Sequence, residues 1–109
     1  MIAVGLMSGT SLDGIDAALV EIRPRGARYT IELLDFVMQP FAPELADALR
    51  AALPPNAGSV AQLATLHHDL GLALAQAAGA VARERRVDFV ASHGQSIWHE
   101  DERRITMPP

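Results

Sequence analysis

At 109 residues, half of them apolar, the chain can close one modest core but not two domains. Its net charge of −4 gives no footprint for nucleic acid or an anionic membrane, and Arg83, Arg85, Arg86, Arg103 and Arg104 read as solvated ends of elements. Without cysteine there are no disulfides or thiolate metal sites; with no basic leader at the start and no apolar run near the ~20 residues of a membrane span, a soluble cytoplasmic protein is expected.

Ile2, Val4 and Leu6 alternate with small residues and predict a first strand that runs into a turn from Ser8 to Gly14. Ile15 to Ile22 is a nearly continuous apolar run, as in a strand buried on both faces. Arg23 to Gly26 reads as a tight turn, and Tyr29 to Val37 as a third strand with Tyr29, Ile31 and Leu33 on one face and Thr30 and Glu32 on the other. Pro40 and Pro43 stop the sheet run, Glu44 to Leu53 predicts a short helix, and Pro54 to Gly58 predicts a local loop. Ser59 with Gln62 is a capping-box pair, after which Val60, Leu63, Leu66, Leu70, Leu74, Ala77 and Val81 form a helical stripe to about Arg85. The cations at that end suit the helix dipole. Val87 to Ala91 supplies a fourth strand, parallel to the first because helices cross between them. The order β-β-β-α-α-β describes an α/β layered domain with an antiparallel meander plus one parallel strand.

The turn itself, Gly5-Leu-Met-Ser-Gly-Thr-Ser-Leu-Asp-Gly-Ile-Asp16, concentrates glycines, hydroxyls and carboxylates. Gly9 and Gly14 allow close backbone approach, so that N–H groups can converge on an anion, and Thr10 and Ser11 add hydroxyl donors. Asp13 and Asp16 repel phosphate directly and make sense with a hydrated cation between, since Mg²⁺ prefers oxygen ligands and keeps several waters. A plain hairpin connection also uses Gly, Ser and Asp. The stretch is neither a Walker loop nor a GxGxxG turn, and Ser8 lacks the spacing of a GxSxG nucleophile elbow. A Ser/His/Asp hydrolase using Ser8 or Ser11 with His93 is a rival reading, as is a non-catalytic nucleotide- or anion-binding module. His67 and His68 have no acidic partner at metal-ligand spacing and His99 is isolated, so all three read as structural or solvent-facing.

The turn resembles, without gaps, the GxMSGTSxDGxD amino terminus of the 1,6-anhydro-N-acetylmuramic acid kinases. Ser92-His-Gly-Gln-Ser-Ile-Trp-His99 is similar to their SHGQTxxH segment, and Leu63, Leu66 and Leu70-Gly71 with Ala73, Ala75 and Ala77 look like the helix between. The resemblance implies a ribonuclease H-like lobe of the actin, sugar kinase and Hsp70 superfamily, present here as an incomplete domain: residues 1–109 would be the amino-terminal part of the first, phosphate-binding lobe, with the second lobe absent. It implies ATP bound at Gly9, Thr10, Ser11, Leu12, Asp13, Gly14, Ile15 and Asp16, and Mg²⁺ oriented through water by Asp13 or Asp16. Sugar contacts are expected from His93, Gln95 and Trp98. The implied reaction phosphorylates the 6-oxygen of the anhydro-sugar while water opens the 1,6-anhydro bridge. Its general base would be an aspartate downstream of residue 109, so no catalytic residue is expected in this segment, and alone it should be inactive. A homodimer is left open. The chain departs from the family at Ile105-Thr-Met-Pro-Pro109, where a strand resembling TLQIG is usual.

Overall fold

The computed structural model describes residues 1–9, 12–54 and 58–107, except the side chains of Trp98 and Ile105. Strands β1 (Ile2–Ser8), β2 (Gly14–Arg25) and β3 (Arg28–Pro40) are followed by helices α1 (Pro43–Ala52) and α2 (Val60–Ala82), then β4 (Phe89–Ser92), β5 (Trp98–Glu100) and β6 (Ile105–Met107). The main sheet has the order β3-β2-β1-β4, with β1 antiparallel to β2, β2 antiparallel to β3, and β4 parallel to β1. This is the expected meander plus one parallel strand, and it is consistent with an incomplete actin-like kinase lobe. The β5–β6 hairpin was not foreseen. Its first strand begins within the second family-like segment and its second strand lies in the divergent end, with Trp98 paired to Met107, His99 to Thr106 and Glu100 to Ile105.

One face of the sheet carries the core. Val4 and Leu6 of β1 lie beside Leu19 and Ala17 of β2, and this layer packs under Leu66, Leu70, Ala77 and Val81 of α2, with Leu49 of α1 completing the cluster. Of the stripe read from α2, Leu66, Leu70, Ala77 and Val81 are buried, Leu63 and Leu74 are half-buried, and Val60, in the first turn, is exposed. Both capping-box bonds form: Gln62 N–H donates to Ser59 Oγ at 3.1 Å, and Ser59 N–H donates to Gln62 Oε1 at 2.8 Å. Ser59→Ala is therefore expected to lower unfolding free energy by about 1 kcal/mol, read as a lower urea midpoint at unchanged slope. The helix ends at Ala82, short of Arg85, because Arg83 leaves the helical backbone with a positive φ of +55° while its N–H closes on the Gly79 carbonyl.

The other face of the sheet is uncovered among the described residues, so β2 is buried on one face only. Tyr29, Ile31 and Leu33 lie on the open face, and Thr30 and Glu32 on the other side of this stretch are exposed too. The register shifts between Leu19, opposite Asp35, and Val20, opposite Leu33, which leaves Leu34 as the extra residue of a bulge. Past the bulge the parity changes: Val37 packs against the core, whereas Phe36 and Met38 join the open face. The β2–β3 hairpin is also longer than its prolines suggest. Ile22 N–H donates to the Met1 carbonyl, so the ring nitrogen of Pro24, two residues on, points past the beginning of β1, where no ladder bond is lost. The reversal falls at Gly26, whose φ is +61°. No helix among the described residues is long and apolar enough to cross a membrane.

Candidate functional site

Because β1 and β4 run parallel, the β1–β2 turn and the segment leaving β4 emerge at the same end of the sheet. Their ladder ends at the Leu6/Ser92 pair. In open α/β sheets, ligands gather at this carboxyl edge of parallel strands.

The turn is fixed from below by its apolar members. Leu12 has a left-handed backbone, φ +56°, yet its side chain is 3% exposed within the core, and its N–H reaches the Gly9 carbonyl at 3.2 Å. A leucine in this region is strained, and burial of its side chain offsets the strain. Ile15 is likewise buried, so these two expected nucleotide-binding positions can offer only backbone atoms to a ligand. Gly14 does not need positive φ. A Cβ there would lie 2.9 Å from both the Gln39 carbonyl carbon and Pro40 Cα, and closer still to the Gln39 oxygen, so the residue is small because β3 passes against it. The Asp13 carbonyl accepts from Phe41 N–H at 3.2 Å, which ties the turn to the end of β3. Thr10 and Ser11 lie outside the described residues.

The carboxylates of Asp13 and Asp16 are exposed, and among the described residues neither has an ion-pair partner. No group of three metal-ligating side chains occurs among those residues. That donor set fits Mg²⁺, which is ordinarily held by one or two carboxylates together with phosphate oxygens and water rather than by an all-protein cage.

Asp16 and His93 line one cleft of about 550 Å³ on the open face of the sheet, with Met7, Ala18 and Phe36 as apolar walls. Gln95 does not join them. It is 6% exposed, its Oε1 accepts from the Ser8 hydroxyl at 2.6 Å, and its Nε2 donates to the Ser96 carbonyl at 3.2 Å. Both ends of the amide are engaged within the protein, which differs from the sugar contact expected of it. The Trp98 side chain lies outside the described part. His99 is not isolated: its Nδ1 lies 2.6 Å from Thr106 Oγ1 and its Nε2 2.7 Å from Asp101 Oδ1, so it braces the β5–β6 hairpin.

Ser8 was missed as a partner of the second segment. The signal was present in the alternation of β1, which sets Ser8 on the same face as Val4 and Leu6 and so makes it a buried polar group in need of a bond. The same placement removes Ser8 from the hydrolase reading, because its proton goes to Gln95 while His93 lines the opposite face.

A family model described as anhydro-N-acetylmuramic acid kinase matches residues 1–108. An anhydro-N-acetylmuramic acid kinase from Bacillus cereus is 40% identical over 105 residues, covering 92% of this chain and 28% of that protein. One from Bacillus thuringiensis subsp. konkukian is 39% identical over the same share of both chains. A protein of the same description from another Bacillus cereus strain is 38% identical over 114 residues, covering 100% of this chain and 29% of the relative. The chain thus spans less than a third of the length of these relatives. With its two sequence signatures meeting at one sheet edge, the chain belongs to the anhydro-N-acetylmuramic acid kinase family.

Proposed function

We propose that this segment is the amino-terminal, phosphate-binding part of the first lobe of an ATP-dependent kinase that phosphorylates 1,6-anhydro-N-acetylmuramic acid at the 6-oxygen. Water opens the anhydro bridge in the same reaction, giving N-acetylmuramic acid 6-phosphate for peptidoglycan recycling. The observation that carries this reading is the shared cleft of Asp16 and His93, one from each signature.

In this reading the turn from Gly9 to Asp16 binds the nucleotide. Its backbone N–H groups face the phosphate oxygens, with the buried Leu12 and Ile15 side chains anchoring the turn below. Phosphoryl transfer asks a protein mainly for positioning and charge stabilisation, so a turn of this kind can be a principal catalytic part. Mg²⁺, with Asp13 or Asp16 orienting it through water, neutralises charge on the phosphates. His93 hydrogen-bonds a hydroxyl, acetamido or lactyl group of the sugar, and Trp98 stacks on a sugar face. The base that activates water, the adenosine site and the rest of the sugar site belong to residues outside this segment.

The full-length protein carrying this segment should convert ATP, anhydro-sugar and ¹⁸O-labelled water to ADP and a 6-phosphate labelled at C1. The purified 109-residue chain should give no ADP above blank in a coupled assay. Phosphorylation without ring opening, or an unlabelled C1, would refute the proposed reaction; turnover by the short chain would refute the division of labour.

A further inference from the structure

We infer that Gln95 is a positioning residue which, through Ser8, couples occupancy of the nucleotide turn to occupancy of the sugar-side loop. The inference rests on the proposed function of the two segments. Ser8 is the last residue of β1 and leads directly into the turn, while Gln95 follows β4 within the loop that bears His93. The β1–β4 ladder stops at Leu6 and Ser92, so beyond that pair no backbone ladder among the described residues holds the two segments together. The 2.6 Å bond between Ser8 Oγ and Gln95 Oε1 spans the gap, and it is buried, with the two residues 5% and 6% exposed.

The loop around Gln95 is built to hold that bond. Gly94 takes a left-handed φ of +67° and its N–H donates to Ser92 Oγ at 3.0 Å, turning the chain inward after β4. Ile97 is buried and its N–H donates to the Met107 carbonyl at 2.9 Å, fastening the far side of the loop to the β5–β6 hairpin. Gln95 therefore cannot shift alone. A movement of the turn toward a phosphate displaces Ser8, and through Gln95 displaces the His93 loop. In water such a bond would exchange freely with solvent; buried, its alternatives are unpaired polar atoms, so the two segments move as one. Coupling of this kind is reciprocal: sugar should tighten nucleotide binding by the factor by which nucleotide tightens sugar binding.

The test uses the full-length kinase and calorimetric titration with the Mg²⁺ complex of a non-hydrolysable ATP analogue, without and with saturating anhydro-sugar. Ser8→Ala/Gln95→Leu removes both partners of the buried bond, and the one other acceptor it releases, the Ser96 carbonyl, belongs to an exposed residue and can bond to water, so folding is preserved. The wild type should bind the analogue at least about five-fold more tightly with sugar present, the lower end of ordinary coupling, and the double variant should bind equally with and without sugar. Its Kd without sugar should stay within about two-fold of wild type, and Ser8→Thr, which keeps the hydroxyl, should retain the coupling. A double variant that melts at lower temperature but keeps the wild-type ratio would assign the pair a structural role only and overturn the inference. A wild type that binds the analogue but ignores sugar would also overturn it while leaving the nucleotide-binding reading intact. Failure of the wild type to bind the analogue at all would overturn that reading itself.

Discussion

Gly14→Ala should destabilise the chain by about 3 kcal/mol, because the methyl group falls against the Gln39 carbonyl and the first β2–β3 pair must open to admit it. For a domain of this size, thermal unfolding followed by circular dichroism should move down by roughly 12–20 °C. Gly5→Ala is the control: nothing lies within 4 Å of a Cβ built there, so its melting temperature should stay close to wild type. A Gly14→Ala protein that melts with wild type would mean that β3 yields at Gln39 without cost, and the close approach would then not be the reason for glycine. Since Gly14 begins β2 directly after the turn, nucleotide affinity should fall together with stability.

Asp16→Asn in the full-length protein should lower kcat by about 10²-fold, comparable to removing one preorganised charge-stabilising contact from a transition state. Asp13→Asn should cost several-fold less. The distinction comes from placement: both carboxylates are exposed, but Asp16 alone lines the cleft that also receives His93. The variant should also need more Mg²⁺ for half-maximal rate, since the amide retains an oxygen but not the charge that holds a hydrated cation. Steady-state rates across a Mg²⁺ titration measure both effects. Equal losses for Asp13→Asn and Asp16→Asn would remove the preference for Asp16.

The order of elements was legible because each carries its own period: alternation in β1, the apolar run of β2, and the Leu66, Leu70, Ala77 and Val81 stripe of α2. What could not be read was tertiary. The bulge at Leu34 changes the parity of β3, and no local pattern announces that Tyr29 and Phe36 share a face although they are seven residues apart. Arg23 and Pro24 look like a turn until it is seen that β1 is too short to need the missing N–H of Pro24. At the site, residue types named the chemistry but not the partition. The alternation of β1 sends Met7 to the open cleft and Ser8 to the interior, and that single step decides which members of the second signature each side of the turn can meet. The interior position of Gln95 combines a local left-handed turn at Gly94 with a bond to Ser8, 87 residues away, and spacing alone does not encode that pairing.

The open side of the sheet bears on how this segment behaves as a free polypeptide. β3 is an edge strand of 13 residues with Tyr29, Ile31, Leu33, Phe36 and Met38 on its bare side. Its charged gatekeepers, Glu32 and Asp35, stand on the opposite side, where the first reaches toward Arg23 and the second toward Arg83. An edge defended on one side only can template further strands. The opposite edge, β4, is only four residues long, so the long bare side of β3, and not the signatures that identify the family, is where association of the free segment is expected to begin.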